Sequence, residues 1–437
     1  MEIVIDAPKL QSLIGELAAA EERGAALYLT ESEERYLVRE IDVAGPEDRL
    51  ETSATHITFA PQFLARVTRR AREKRMHLAI VHTHPKGYEN FSPTDNEAEV
   101  GLADFLHRRN PQKASISMVL CSGSMKARRF GSSDLIPVRV VGREVTCRSG
   151  TPEDLQTRER FDRQARAFGR EGQAILKSLK VAIVGLGGTG SVAAQQLAYL
   201  GVGSFVLVDA DTVEESNLNR VVGARKESIG KPKTEVAAAA IREVEPKTRV
   251  DILTASVISE SGLRMLRATD AIFICTDSHS SRAFLNELAY QYLIPAFDIG
   301  TSINAADCRV TAITGRTQML APGLPCLLCG NALDSRAIRE ELMTPEQRAA
   351  DPYFNSGGVH QPAVISLNST MVSLAVTMFL SAFVGIPGKA RWQSYNAITG
   401  TVRVLGMALD AECHVCGSSG IMGAGDSQAL GFLTLMN

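Results

Sequence analysis

Short apolar runs alternate with longer amphipathic stretches along most of this chain. AALYL (25–29) and MHLAIVHTH (76–84) are continuous enough to be buried strands, while APQFLARVTRRAREKR between them spaces its apolar positions along one helical face. The alternation predicts one unit over residues 1–135. Residues 136–157 mix short polar and apolar pieces around Gly150-Thr151-Pro152 and read as a linker. A helical stretch opens near Arg160. It leads into strand KVAIVGLG, helix SVAAQQLAYLG, strand SFVLVDAD, helix KTEVAAAAIREV and strands VDILTA and AIFICTD. Strands alternating with helices predict an α/β chain, its second unit (158–437) a doubly wound, Rossmann-like parallel sheet. There is no internal repeat. The tail from Gly417, GSSGIMGAGDSQALG, is rich in Gly and Ser and predicts a mobile end. The longest apolar stretch, MVSLAVTMFLSAFVGIP from Met371, is interrupted by Ser373, Thr377 and Ser381. It reads as a core helix in preference to a membrane span.

Composition narrows the class. The 437 residues carry 47 basic and 49 acidic side chains, a formal charge of −2, with no long basic run to suggest nucleic acid or an anionic membrane as partner. The opening MEIVIDAPKLQSLIG lacks the basic and apolar regions of a secretory signal, so the expected compartment is the cytoplasm. Of the 8 cysteines, four form two Cys-x-x-Cys pairs, Cys326/Cys329 and Cys413/Cys416. In such a compartment that spacing argues for metal over disulfides.

His82 to Asp95 reads HTHPKGYENFSPTD. Residues two apart on a strand face the same way, so His82 and His84 can reach one ion. Ser92 and Pro93 are the N-cap and first position of a following helix, which returns Asp95 on its first turn. Two ring nitrogens and one carboxylate oxygen leave a tetrahedral zinc ion with one open position, the arrangement of a hydrolytic site. The stretch resembles the JAB/JAMM (Mov34/MPN) metalloprotease family, whose motif of His-x-His, seven residues, Ser, two residues and Asp is matched throughout by His82, His84, Ser92 and Asp95. The resemblance implies peptide or isopeptide hydrolysis beside the C-terminus of a ubiquitin-like protein, with Ser92 helping to hold the oxyanion. It also implies a general-base Glu at the start of an upstream strand. Glu22 in ERGAALYL fits best, with Glu21 one register away.

KVAIVGLGGTGS places Gly185, Gly187, Gly188 and Gly190 between a strand and a helix, a turn whose backbone can approach phosphates. Asp209 ends the next strand and would suit a dinucleotide equally well, but Asn217, Arg220 and Lys233 follow it. Cations there suit a triphosphate, whose departing pyrophosphate must be neutralised, better than hydride transfer. Residues 158–420 resemble the ThiF/MoeB adenylyltransferase family, the fold of ubiquitin-activating enzymes, through RFDRQ (160–164), the glycine loop, DADTVEESNLNR, KPK (231–233), CTD (275–277) and both cysteine pairs. The resemblance implies that Asp209 binds the ATP ribose, that Asn217, Arg220 and Lys233 hold the phosphates, and that Asp277 ligates Mg²⁺. It implies further that Arg163 reaches the ATP of a second subunit in a homodimer. Cys326, Cys329, Cys413 and Cys416 would hold a structural zinc. One departure stands out: 351–369, where thioester-forming members carry a cysteine, has none.

ATP makes a carboxylate an acyl donor, and a zinc hydrolase cuts acyl bonds. On one chain the two imply a shared client, the C-terminal tail of a small ubiquitin-like protein, activated and also trimmed or released. Such fusions resemble bacterial ubiquitin-like systems in which a conjugating-enzyme-like partner supplies the missing cysteine. The alternatives are activation of a sulfur carrier to a thiocarboxylate, adenylation of a small peptide, and a scaffold with silent sites.

Overall fold

The computed structural model describes residues 1–147, 159–306, 309–344 and 362–434. Residues 148–157 of the expected linker, residues 351–361 of the cysteine-free stretch, and Cys308 lie outside them. The chain divides into two compact units, Met1–Gly142 with Met422–Gln428, and Arg143–Ile421 with the residues from Ala429 onward.

The first unit is built on β1 (Glu2–Asp6), β2 (Gly24–Ser32), β3 (Arg35–Val43), β6 (His77–Thr83), β7 (Ser115–Cys121), β8 (Ser124–Arg129), β9 (Leu135–Ile136) and β10 (Val138–Val141). A separate hairpin pairs β4 (Arg49–Ser53) with β5 (His56–Phe59). The helices are α1 (Ala7–Leu17), α2 (Pro61–Glu73) and α3 (Pro93–Arg109). The sheet order is β10-β1-β3-β2-β6-β7-β8-β9. Side chains alternate between two apolar clusters as strand geometry requires. Ala25, Leu27, Ala79 and Val81 join Leu13 and Leu17 of α1, while Ala26, Tyr28, Leu78 and Ile80 join Phe63 and Val67 of α2 and Leu106 of α3.

Two boundaries differ from the sequence reading. The expected end at residue 135 falls in β9, and β10 continues the sheet because it runs parallel to β1, with Ile3 opposite Val138. The tail read as mobile instead sends Met422–Gln428 onto the first unit. There the Gly423 carbonyl accepts from Thr30 Oγ1 (2.9 Å) and the Met422 carbonyl from Arg39 Nη1 (2.6 Å). Gly423 and Gly425 take the positive φ values that this close path over β2 needs.

The second unit runs α4 (Asp162–Ser178), β11 (Lys180–Val184), α5 (Gly188–Leu200), β12 (Ser204–Val208), α6 (Lys233–Val244), β13 (Arg249–Leu253), α7 (Glu260–Leu266), β14 (Ala271–Ile274) and α8 (His279–Gln291). It continues with β15 (Ala296–Ala306), β16 (Arg309–Leu320), α9 (Ser335–Leu342), α10 (Ile365–Phe383), β17 (Trp392–Asn396) and β18 (Thr401–Val404). Strand order is β13-β12-β11-β14-β15-β16-β17-β18, parallel as far as β15 and antiparallel beyond it. The first strand, β11, lies inside the sheet. β12 and β13 lie to one side of it and β14 and β15 to the other, so the strand order reverses between β11 and β14, and the carboxyl ends of those two strands are where such sheets bind ligands. The long apolar stretch is α10, the one described helix long and apolar enough to cross a membrane; 56 % of that window is buried, against α5, β15 and β16.

Candidate active sites

The strand parity that puts Leu78 and Ile80 toward α2 and α3 puts His82 on the same face, and His84 follows just beyond the strand. Opposite them the antiparallel register pairs Gly24 with His82, so two residues earlier Glu22 falls level with His84. From the helix side, Ser92 caps α3. Its Oγ accepts from Asp95 N (3.1 Å) while Ser92 N donates to Asp95 Oδ2 (2.6 Å), a reciprocal box that fixes the Asp95 carboxylate. His82 Nε2 lies 3.0 Å from Asp95 Oδ1, His84 Nε2 3.4 Å from Asp95 Oδ2, and the two Nε2 atoms are 3.2 Å apart. Glu22 Oε1 stands 3.9 Å from His84 Nε2. Glu21 turns outward and accepts from Thr52 Oγ1 (2.8 Å).

This donor set suits a metal ion. His84 Nδ1 donates to the Tyr88 carbonyl (2.7 Å); a neutral ring therefore carries its lone pair on Nε2, facing His82 and able to bind a cation, whereas a protonated ring donates from Nε2 to Asp95. The two Nε2 atoms and the carboxylate can be held this close either by protons on the rings or by a cation among them. A tetrahedral zinc with bonds of about 2.0–2.1 Å would space its ligand atoms by about 3.3 Å. Burial alone would raise the Asp95 carboxyl, but hydrogen bonds from His82 and His84 hold it far below the usual carboxylate range. His84 is raised by its hydrogen bond to Asp95, and Glu22 by burial, with Glu22 only 3 % exposed.

In the second unit, Gly185 carries φ +86, and a Cβ there would stand 2.8 Å from the backbone of Cys275. A Cβ on Gly190 would stand 1.8 Å from the Gly185 carbonyl, whereas one on Gly187 would meet nothing within 4 Å. The loop is thus closed against β14 on one side and open at Gly187, where a phosphate would approach. Asp209 steadies the turn: its Oδ2 accepts from Leu186 N (2.5 Å) and its Oδ1 from Asp211 N (2.8 Å), while burial raises the carboxyl. Thr189 Oγ1 donates to the Cys275 carbonyl (3.2 Å), tying α5 to the segment that ends in Asp277.

Residues 161–415 match the ThiF family. The chain belongs to that family. Residues 12–131 match the prokaryotic homologs of the JAB domain, so the ThiF domain follows a JAB domain in one polypeptide. The molybdopterin-synthase adenylyltransferase of Salmonella typhimurium is 30 % identical over 59 % of this chain and 96 % of its own length. The SAMP-activating enzyme E1 of Haloferax volcanii is 28 % identical over 58 % and 86 %, and the sulfur carrier protein adenylyltransferase of Thermus thermophilus 29 % over 60 % and 92 %. Use of ATP is implied by the ThiF family.

Other expected residues of the ThiF domain fall around the loop to different degrees. Arg220 Nη1 donates to the Ser216 carbonyl (2.6 Å), and its Cδ lies 3.4 Å from a Cβ on Gly188. Lys233 Nζ pairs with Asp211 (2.7 Å). Asn217 is buried and closes its own turn, its Oδ1 accepting from Glu214 N (3.3 Å). Asp277 and Arg163 are exposed. Sequence reasoning missed Asn368, which lies 91 residues or more from the glycines, Asp209 and Asp277 and carries no motif. Its Nδ2 sits 2.2 Å from where a Gly188 Cβ would be, and its Oδ1 accepts from Thr301 Oγ1 (3.3 Å).

The four paired cysteines converge, all sulfurs within 4.8 Å of one another. Cys326 and Cys413 are 3.7 Å apart and Cys329 and Cys416 3.5 Å, too far for disulfides at about 2.05 Å and near the roughly 3.8 Å edge of a tetrahedral zinc thiolate site. The cluster could hold a structural zinc ion.

Proposed function

We propose that this chain adenylates the C-terminal carboxylate of a small ubiquitin-like protein and, at its JAB site, cleaves peptide or isopeptide bonds at that same terminus. The observation that carries the reading is the convergence of Glu22, His82, His84 and Asp95 in a chain whose other unit belongs to an adenylyltransferase family. The relatives support the client class, each being named for what it adenylates or activates: molybdopterin synthase, SAMP, a sulfur carrier protein.

In adenylation the client's carboxylate oxygen bonds to the α-phosphorus of ATP, the bond to the bridging oxygen breaks, and pyrophosphate departs. Asp209 would hold the ribose, and Arg220, Lys233 and Asn217 the phosphates. Asp277 would bind Mg²⁺, and Arg163 would complete the site of a second copy. Lys233 stands ready on α6, held by Asp211 until phosphate competes for it. At the JAB site, His82, His84 and Asp95 would hold a zinc ion, which supplies a hydroxide near neutral pH when bound. Glu22 would take the proton that water gives up in forming this hydroxide and pass it to the leaving amine, and Ser92 would donate to the oxyanion.

The acyl group leaves to an acceptor elsewhere. Burial pushes the Cys275 thiol up to about 12, so it is no nucleophile. A conjugating-enzyme-like protein would supply a thiol. The second reading, sulfide delivery that yields a thiocarboxylate, is favoured by the sulfur-carrier relative and separated from the first by trapping a reducible thioester on a partner.

Two substitutions test the pair. His84→Ala is expected to abolish cleavage of a carrier fusion and spare ATP–pyrophosphate exchange; loss of both refutes independent sites. Asp277→Ala is expected to do the reverse, and unchanged exchange refutes its metal role.

A further inference from the structure

A cavity of about 400 Å³ opens directly beside the JAB cluster. One end is lined by Glu22, His82 and Asp95; the rest is walled by Ile57, Leu64, Leu102, Phe105 and Phe130. These come from the β4–β5 hairpin, α2, α3 and the end of β8, so the space is built by several elements. The apolar part offers no free charge. Beyond the cluster and His56, the one charged lining residue among the described residues is Glu99, which is buried and paired with Arg128 at 2.8 Å. Arg128 in turn lies over the Phe91 ring at 3.8 Å.

A hydrolase acting only on glycine-rich tails has no use for such a space. Glycine would leave an apolar surface in water beside the reacting carbonyl. A lysine or acidic side chain would lose its hydration there without a partner. A large aliphatic or aromatic side chain would bury its surface against Leu102 and Phe105 and, being tethered to the cleaved backbone, would fix the carbonyl at the cluster.

We propose that this cavity is a specificity pocket for a leucine- or phenylalanine-sized side chain within two residues of the bond that the JAB site cleaves. The proposal rests on the hydrolase reading above and adds the chemistry of the substrate. It makes the preferred substrate a tail with an apolar residue near its cleavage point, not an unbroken run of glycine.

The test uses the full-length, zinc-loaded protein and octapeptides with a fluorophore–quencher pair. Glycine fills the four positions flanking the scissile bond, or leucine or phenylalanine replaces one of them. At one position the apolar residue is expected to raise kcat/KM at least tenfold, the lower range for one apolar group in a fitted pocket. Leu102→Trp fills the cavity and Ala98→Phe blocks it from the exposed side of α3. Either is expected to cut the preference below about threefold while the all-glycine peptide is still cleaved. Zinc-dependent cleavage with no preference at any position overturns the proposal. Calorimetry with a glycyl and a leucyl peptide hydroxamate gives a readout free of turnover. Tenfold tighter leucyl binding is expected, and equal affinity overturns it. Failure of the protein to hold zinc at His82 and His84 is a separate result, which strikes the hydrolase reading itself.

Discussion

Replacing Gly190 and Gly187 in turn by alanine separates the loop's packing from its ligand face. A Cβ on Gly190 would sit 1.8 Å from the Gly185 carbonyl, about 1.6 Å short of ordinary contact. That oxygen is backbone, anchored on one side because Gly185 N donates to the Val208 carbonyl (2.9 Å), so no side chain can swing away to make room. Overpacking of this kind costs about 3 kcal/mol. For a unit of this size, about 2–4 °C of Tm per kcal/mol converts this to a drop of roughly 6–12 °C. Gly187 has nothing within 4 Å, so Gly187→Ala is expected to lower Tm by no more than about 4 °C. Its methyl instead enters the space where the loop must approach phosphate, and the KM for ATP should rise about tenfold or more. Differential scanning calorimetry with ATP–pyrophosphate exchange reads both effects. Equal Tm losses for the two variants, or none for Gly190→Ala, would refute the argument.

Glu22→Gln should lower zinc-dependent cleavage by about 10²-fold or more with zinc content unchanged, while Glu21→Gln, which alters only an exposed contact with Thr52, should leave the rate within twofold. Elemental analysis should find two zinc ions per chain and one in Cys329→Ser, whose ThiF-domain melting temperature should also fall; an unchanged count would remove the four-cysteine zinc site. Asn368→Ala should raise the KM for ATP by roughly tenfold through loss of the contact that seats Gly188, with peptide cleavage unaffected.

What the sequence made legible was local. The two-residue spacing of His82 and His84 on an apolar strand, and a Ser-Pro-x-Asp start to a helix, carry their geometry within the motif. The glycine loop between strand and helix is equally self-contained. Glu22 and Glu21 could not be separated that way, because their difference lies in the register between β2 and β6, which only the folded sheet sets. The two cysteine pairs meet across 87 positions of chain, and their spacing alone hinted at it. Three features had no sequence signal: the pairing of β10 with β1, the return of Met422–Gln428 to the first unit, and the seat of Asn368 on Gly188. Each joins segments far apart in the chain through backbone bonds or close contact, which leaves no periodic trace in composition. The short helix α7, between β13 and β14, was missed because its 7 residues carry only about two turns of pattern.

The most direct measurement gives one preparation of the protein a small ubiquitin-fold carrier in two forms, ending at its terminal glycine or extended beyond it, and follows ATP–pyrophosphate exchange. Exchange is expected with the mature carrier at once and with the extended one only after zinc-dependent removal of the extension, a lag that His84→Ala makes permanent. Exchange that begins immediately with both forms, or with neither, would contradict the account.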